Sequence, residues 1–300
     1  MDQSIRLQPR KKKVSIPQIT LQIFVILLAL VVVLPFVIIV SISLSNEQTI
    51  ALEGYGLFPK NFDLSAYEFL FQDIEEIIQA YGVTAFFSFA SMVLGTFLMS
   101  LIAYVLSVRN FKGRNAISFY LFFTMLFSGG LVPTYILITQ YLHLNNKIWV
   151  YILPTLIGPW NVFMIRSFFQ GIPYEITESA IVDGAGHFVI YSKLIVPLSK
   201  PVLATVALNV FLGKWNDWNT SLLYISDKSL RSLQYLLQEA LLSVSMIQNM
   251  PQASMYISSQ IPTETVRMAM AVVVAGPALL IFPFFQKYFV KGLTLGSVKG

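Results

Sequence analysis

The chain has no cysteine and only two histidines, His143 and His187, among its 300 residues. Disulfides, thiolate nucleophiles, Cys-based metal sites and His metal clusters are therefore excluded. Charge is scarce as well. Asp, Glu, Lys and Arg make up 12% of the residues, against roughly 25% in a soluble domain. No Gly-x-x-x-x-Gly-Lys-[Ser/Thr] phosphate loop is present: Gly213-Lys214 is followed by Trp215 and lacks the upstream glycine. That removes the usual backbone cradle for ATP. No acid or base lies in the middle of a long apolar run, so the proton and ion relays that such groups mark are missing too. Neither histidine has an obvious catalytic partner, and no triad can be assembled.

What remains is apolar. Hydrophobic residues make up 56% of the chain, and mean hydropathy is +0.69. A membrane helix needs about 20 apolar residues in sequence. Six segments qualify, at about 19–44, 80–108, 116–142, 148–165, 198–212 and 268–285. The expected fold is all-α, a six-span integral membrane domain over 19–300 preceded by a basic tail, 1–18. The first run is too long for a cleaved signal peptide, and no small-residue cleavage site follows it before Asn46.

Basic residues set the orientation. With the N-terminus inside, 14 of the 20 Lys and Arg fall on inner segments, whereas 11 of the 15 acids fall on outer ones. Both termini are then cytoplasmic. The outer loops are 45–79 and 213–267, and a cytoplasmic loop occupies 166–201. The sequence pI near 9.2 is thus a topology signal, and nucleic acid is not an expected partner. The tail's Arg6, Arg10, Lys11, Lys12 and Lys13 are expected to lie on anionic lipid headgroups.

Glycine and proline interrupt several spans, at Gly129-Gly130 and Pro133, at Pro154, Gly158 and Pro159, and at Gly276-Pro277 and Pro283. Such breaks survive only where they face protein or a water-filled cavity. Asp63 to Ala66 reads as a helix start, with Asp or Ser as cap. Leucines at 230, 233, 236, 237 and 241 form a helical stripe.

The polar stretch 174–201 stands apart from these apolar runs. Glu178 to Val182 is expected to be a short helix. Gly184 and Gly186, flanking Ala185, allow a turn. A second helical piece, Phe188 to Ile195, is expected to stop before Pro197. Glu178, Ser179, Ala180, Asp183, Gly184, Ala185, Leu194 and Pro197, with Val196 and Pro201, resemble the "EAA loop" of importer permeases in the ATP-binding-cassette (ABC) superfamily, with Ser179 standing for its Ala, Leu194 for Ile and Val196 for Leu. The Asp183-Gly184-Ala185 extension and the second proline resemble the sugar-permease version. Asn161 to Phe169, Trp215 to Trp218, and the C-terminal Phe289 to Gly300 look like carbohydrate permeases related to the inner subunits of the maltose transporter, in particular a lipoprotein-dependent oligosaccharide subgroup.

That resemblance implies a type I ABC importer permease, not an enzyme, with no cofactor of its own. ATP and Mg would reside on a separate ATPase, coupled through the eight loop residues just named. It implies four further partners: a second, homologous permease subunit as heterodimer, two ATPase subunits, an extracellular solute-binding lipoprotein, and a sugar or oligosaccharide. For the substrate path it offers Trp160, Asn161, Trp215, Asn216, Asp217 and Trp218, although Trp at span ends also serves as a membrane-interface anchor. For binding-protein contact it offers, by position, Met246, Gln248, Asn249 and Gln252. The alternatives are an ABC permease for a peptide, phosphate or metal, and a non-transporting membrane scaffold.

Overall fold

In the computed structural model the described residues are 16–248 and 263–296, and their regular structure is helical, with one isolated bridge between Ser45 and Phe62. Three helices are long and apolar enough to cross a membrane. Three bent helix pairs also qualify if each pair is one span, giving six.

The first helix, α1 (Ile16–Ser43), exposes nearly all of its apolar side chains from Ile19 to Val37. A helix apolar on every side is stable only in lipid or in a core, and this one has little core. It packs chiefly against the last helix, α14 (Thr263–Gly296), which contains Pro277 and Pro283. Only its far end, at Ser41 and Ser43, is buried. Beyond it, α2 (Glu47–Glu53) is capped by Asn46, whose side chain accepts from the amides of Gln48 and Thr49. The Glu47 carboxylate accepts hydrogen bonds from the amides of Glu264 and Thr265, each at 2.9 Å, and so covers the start of α14.

The expected helix start near Asp63 is α3 (Ser65–Leu70), with the Asp63 carboxylate accepting from the Ser65 amide at 2.8 Å. It does not end in a loop. A single 3₁₀ turn, Phe71–Asp73, leads directly into α4 (Ile74–Ser107). At 1.5 Å per residue the 34 residues of α4 reach roughly 51 Å, well beyond a hydrocarbon core of about 30 Å. The second span therefore begins earlier than its apolar run. Glu75 and Glu76 in its first turn favour that extension, because they face the positive end of the helix dipole.

α4 is the central post. It packs against α7 (Pro159–Gln170), α11 (Lys200–Trp215) and α13 (Leu233–Gln248). Its small residues Ser88, Ser91, Gly95 and Ser100 are buried. A Cβ on Gly95 would stand 3.0 Å from the Leu156 carbonyl, so only glycine admits that backbone.

The third and fourth spans are broken where glycine and proline interrupt their apolar runs. α5 (Arg114–Leu126) is followed by α6 (Leu131–Ile136) and a π-helical turn to Tyr141, with a bend of 115°. Gly130, at φ +85°, supplies the reversal. The fourth span is two 3₁₀ turns, Ile148–Tyr151 and Leu153–Thr155, followed by α7 at 50°. Pro154 and Pro159 sit where their helical pieces begin, positions at which a missing N–H costs nothing. α11 runs to Trp215, past the expected end at 212, and the last span spreads well beyond 268–285. The leucine stripe becomes α13, whose Leu233, Leu236 and Leu237 pack beside Trp215 and Val274.

Candidate functional site

The polar stretch folds as a helical hairpin. Its first arm, α8 (Tyr174–Val182), starts four residues before Glu178 because Pro173 is excluded from helix interiors but fits just before one. Its end is a Schellman cap. The Ala185 amide donates to the Ala180 carbonyl at 2.9 Å, and the Gly184 amide donates to the Ile181 carbonyl at 3.0 Å. Gly184 has φ +80°, the conformation such a cap demands. Gly186 has φ −71° and is not required by the turn.

The second arm is α9 (His187–Ile190), a π-helical turn Tyr191–Ile195, and α10 (Val196–Leu198). It therefore passes through Pro197, contrary to the expected stop. A proline ring in a helix clashes with the carbonyl four residues back. Here the wider π turn lies directly before the proline, where that crowding would arise. After Ser199 the chain breaks by 82° into α11.

The hairpin's inner face is part of the main core. Ile190, Tyr191 and Ile195 are buried with Met99, Ala103 and Leu106 of α4, Val162 and Ile165 of α7, and Val202 and Val206 of α11. Ala180, Ala185, Leu194 and Val196 pack against the same cluster. The Tyr191 hydroxyl hydrogen-bonds Ser100 Oγ at 2.6 Å, a buried contact between hairpin and post. The Tyr104 hydroxyl meets His187 Nδ1 at 3.3 Å. Arg109 lies over the Tyr174 ring, 4.4 Å from its centroid.

The outer face is different. Val182 is 82% and Phe188 69% exposed, on either side of the Gly184 turn. Ile176, Ile181 and Val189 are exposed with them. Glu178 and Asp183 stand on this same exposed tip, and neither has an ion pair among the described residues. The Ser179 hydroxyl is turned back onto the Glu175 carbonyl at 2.8 Å. Apolar side chains around unpaired carboxylates, on an element held rigidly from behind, form a surface suited to docking another protein. Of the eight loop residues, Glu178, Ser179, Asp183 and Pro197 are exposed. Ala180, Ala185 and Leu194 support the hairpin from within, and Gly184 shapes it.

The residues singled out for a sugar path do not come together. Trp215 is buried, its Nε1 donating to the Val274 carbonyl at 3.1 Å and its ring stacked on Phe211, so it is a packing residue rather than a surface for solute. Asn216 donates to the Leu212 carbonyl. The Asp217 carboxylate accepts from the Thr220 amide and hydroxyl at 3.0 and 2.7 Å and lies 3.7 Å from Lys214 Nζ, which makes it a helix-start and ion-pair residue. Trp218 is half-buried at the start of α12 (Asn219–Tyr224). Trp160 is 67% exposed and lines a separate cavity of about 440 Å³ with Phe163, Met164 and Val202, and Asn161 beside it is half-buried. Met246 and Gln248 fall in the last turn of α13. Asn249 and Gln252 lie outside the described residues.

Sequence reasoning missed the anchors of the hairpin. A tyrosine amid an apolar arm must find a partner for its hydroxyl when buried, and Ser100 on the longest span was the available one. The stacking of Arg109 on Tyr174 has no sequence signal, because the two are 65 positions apart.

A profile of the family described as "Binding-protein-dependent transport system inner membrane component" matches residues 97–295, from mid-α4 through the hairpin to the last helix. The chain belongs to this family. It is thus a transport permease, rather than an enzyme, of a plasma membrane. Among its relatives is the Bacillus subtilis polygalacturonan/rhamnogalacturonan transport system permease protein YtcP, 38% identical over 92% of this chain and 96% of that one. The Bacillus subtilis protein LplC is 36% identical over 90% of each chain. The arabinooligosaccharides transport system permease protein AraQ of the same organism is 30% identical over 95% of this chain and 97% of that one. A solved structure of a bacterial ABC transporter involved in import of the acidic polysaccharide alginate superposes with a TM-score of 0.77. It has 26% identity and covers 94% of this chain and 99% of that one. The same overall fold is thus found in a bacterial ABC transporter.

Proposed function

We propose that this chain is the permease subunit of an ATP-driven importer of sugars or oligosaccharides, and that a separate ATPase acts on it through the hairpin 174–198. The observation that carries the reading is the hairpin's two-sidedness: an exposed tip of Glu178, Val182, Asp183 and Phe188 in front, and a buried anchor of Tyr191 on Ser100 behind. A push on the tip would pass into α4 and, through the 82° break at Ser199, into α11. A packed core with two arrangements switches as rigid bodies rather than deforming gradually.

The family membership supports a binding-protein partner, a second permease and two ATPase subunits carrying ATP and Mg. The oligosaccharide permeases among the relatives support the sugar class. In this assignment both termini and the hairpin are cytoplasmic. Trp160 and Asn161 contribute to the solute path, and the region around Met246, Gln248, Asn249 and Gln252 faces the solute-binding lipoprotein.

The test is uptake into vesicles reconstituted with the co-purifying subunits. Glu178→Lys reverses a tip charge without touching the anchor, and Gly184→Val blocks the cap. Both should abolish uptake while leaving the ATPase subunits able to hydrolyse ATP. Wild-type uptake by Glu178→Lys and Gly184→Val would remove the hairpin from the mechanism.

A further inference from the structure

Behind α8, between the hairpin and the ends of α4 and α7, lies a cavity of about 500 Å³. Its charged and polar lining includes Arg109, Asn110, Arg114, Tyr174, Thr177 and His187, and no carboxylate borders it among the described residues. Arg166 sits next to Arg114: its guanidinium donates to Ser118 Oγ at 2.9 Å, and that hydroxyl donates to the Arg114 carbonyl at 2.6 Å.

The arginines here differ from the other described arginines. Arg231 and Arg267 each lie within 4 Å of an acid. Arg109, Arg114 and Arg166 have no ion pair among the described residues. The Nε atoms of Arg114 and Arg166 are buried without a hydrogen-bond partner. Stacking on Tyr174 occupies the face of the Arg109 guanidinium and leaves its in-plane N–H fork free. Arg109 is exposed and Arg114 and Arg166 are half-buried, and like charges gathered there without a counter-charge repel one another.

We infer that this cavity is a binding site for a phosphate group, the headgroup phosphate of an anionic phospholipid being the source its location favours. Guanidinium forks match phosphate oxygens in bidentate geometry. The cavity lies where α4 ends and α5 begins, at the level at which apolar spans give way to the basic loop 108–113. Val108, Phe169, Ile172 and Ile195 supply an apolar wall for the start of the acyl chains. Basic pockets at such depths between membrane helices are a recurring mode of lipid recognition. A lipid held there would brace α8 from the membrane side. The inference concerns binding alone and does not depend on whether the hairpin engages an ATPase.

Hydrogen exchange on the full chain, purified with its co-purifying subunits, tests it. The complex is placed in phosphatidylcholine nanodiscs, alone, with phosphatidylglycerol, or with soluble inorganic phosphate. Amides of loop 108–113 and of α8 should exchange more slowly with phosphatidylglycerol. Arg109→Gln and Arg114→Gln should each weaken that protection by about tenfold, and Lys112→Gln, exposed and outside the cavity, should not. Protection by inorganic phosphate alone, lost in the same arginine variants, supports the phosphate site and assigns it to a soluble ligand. Protection by neither anion overturns the inference, as does equal protection in Arg109→Gln and in the wild type. Protection that instead follows subunit assembly in plain phosphatidylcholine discs also overturns it, and gives the cavity to a carboxylate of a partner protein.

Discussion

At the scale of single residues, the hairpin depends on backbone conformation and buried hydroxyls more than on charge. Gly184 has open space around its missing Cβ, so a substitution meets no clash, only the strain of φ +80°. Gly184→Ala should therefore cost roughly 1–2 kcal/mol, read as a lower melting temperature, whereas Gly186→Ala at φ −71° should be close to neutral. Tyr191→Phe deletes one buried hydrogen bond and leaves Ser100 Oγ only its bond to the Phe97 carbonyl. It should cost about 1 kcal/mol, and the double variant with Ser100→Ala should recover part of it. A thermal-shift cycle over the four proteins measures the coupling. Asp63 offers a pH test. Hydrogen bonds from the Ser65 amide and from Asn46 hold its carboxyl below the usual carboxylate range. A lowered folded-state value means that the stabilisation is present above about pH 4, and is lost as pH falls through the folded value. Exchange of the Ser65 amide should accelerate only in that acid range, and in Asp63→Asn the pH step should vanish.

At the scale of elements, the sequence was read correctly wherever hydrophobic runs and helices coincide, and misread where backbone chemistry decides. In the apolar run 116–142 Gly129-Gly130 and Pro133 mark an interruption but not a bend of 115°, because the positive φ of Gly130 is a matter of tertiary setting. Pro197 looked like a stop, since its missing N–H is visible in sequence and the compensating π turn before it is not. The hairpin itself was legible through Gly184 and its neighbours, but the roles of Ala180 and Ala185 were not. They are the paired positions of a Schellman cap facing the chain's own core. Trp215 is an aromatic that sequence offers for a sugar and that packing holds by its hydrogen bond to the Val274 carbonyl. Gly95 tests the packing of elements. Gly95→Leu would drive a side chain into the Leu156 carbonyl and separate α4 from the fourth span. The expected result is a loss of a few kcal/mol, seen as reduced yield of folded protein in detergent.

For the whole molecule, the absence of cysteine makes orientation directly measurable. Single-cysteine variants at Asn61 and at Lys193, both exposed, should react oppositely with a membrane-impermeant maleimide in intact cells. Labelling at position 61 and protection at 193 fits the cytoplasmic hairpin. The reverse pattern would invert the topology and remove the hairpin from the ATPase side.

The contact between α1 and α14 has a consequence for how the protein is made. The ribosome delivers α1 first, with almost none of its side chains supplied with protein neighbours. Its main partner is α14, which emerges long after it, and Glu47, just past α1, covers that helix's first amides. α1 therefore waits for its main protein neighbour until residues 263–296 have been made. Chains that stop before residue 263 leave α1 without its main protein neighbour, its apolar side chains facing lipid alone.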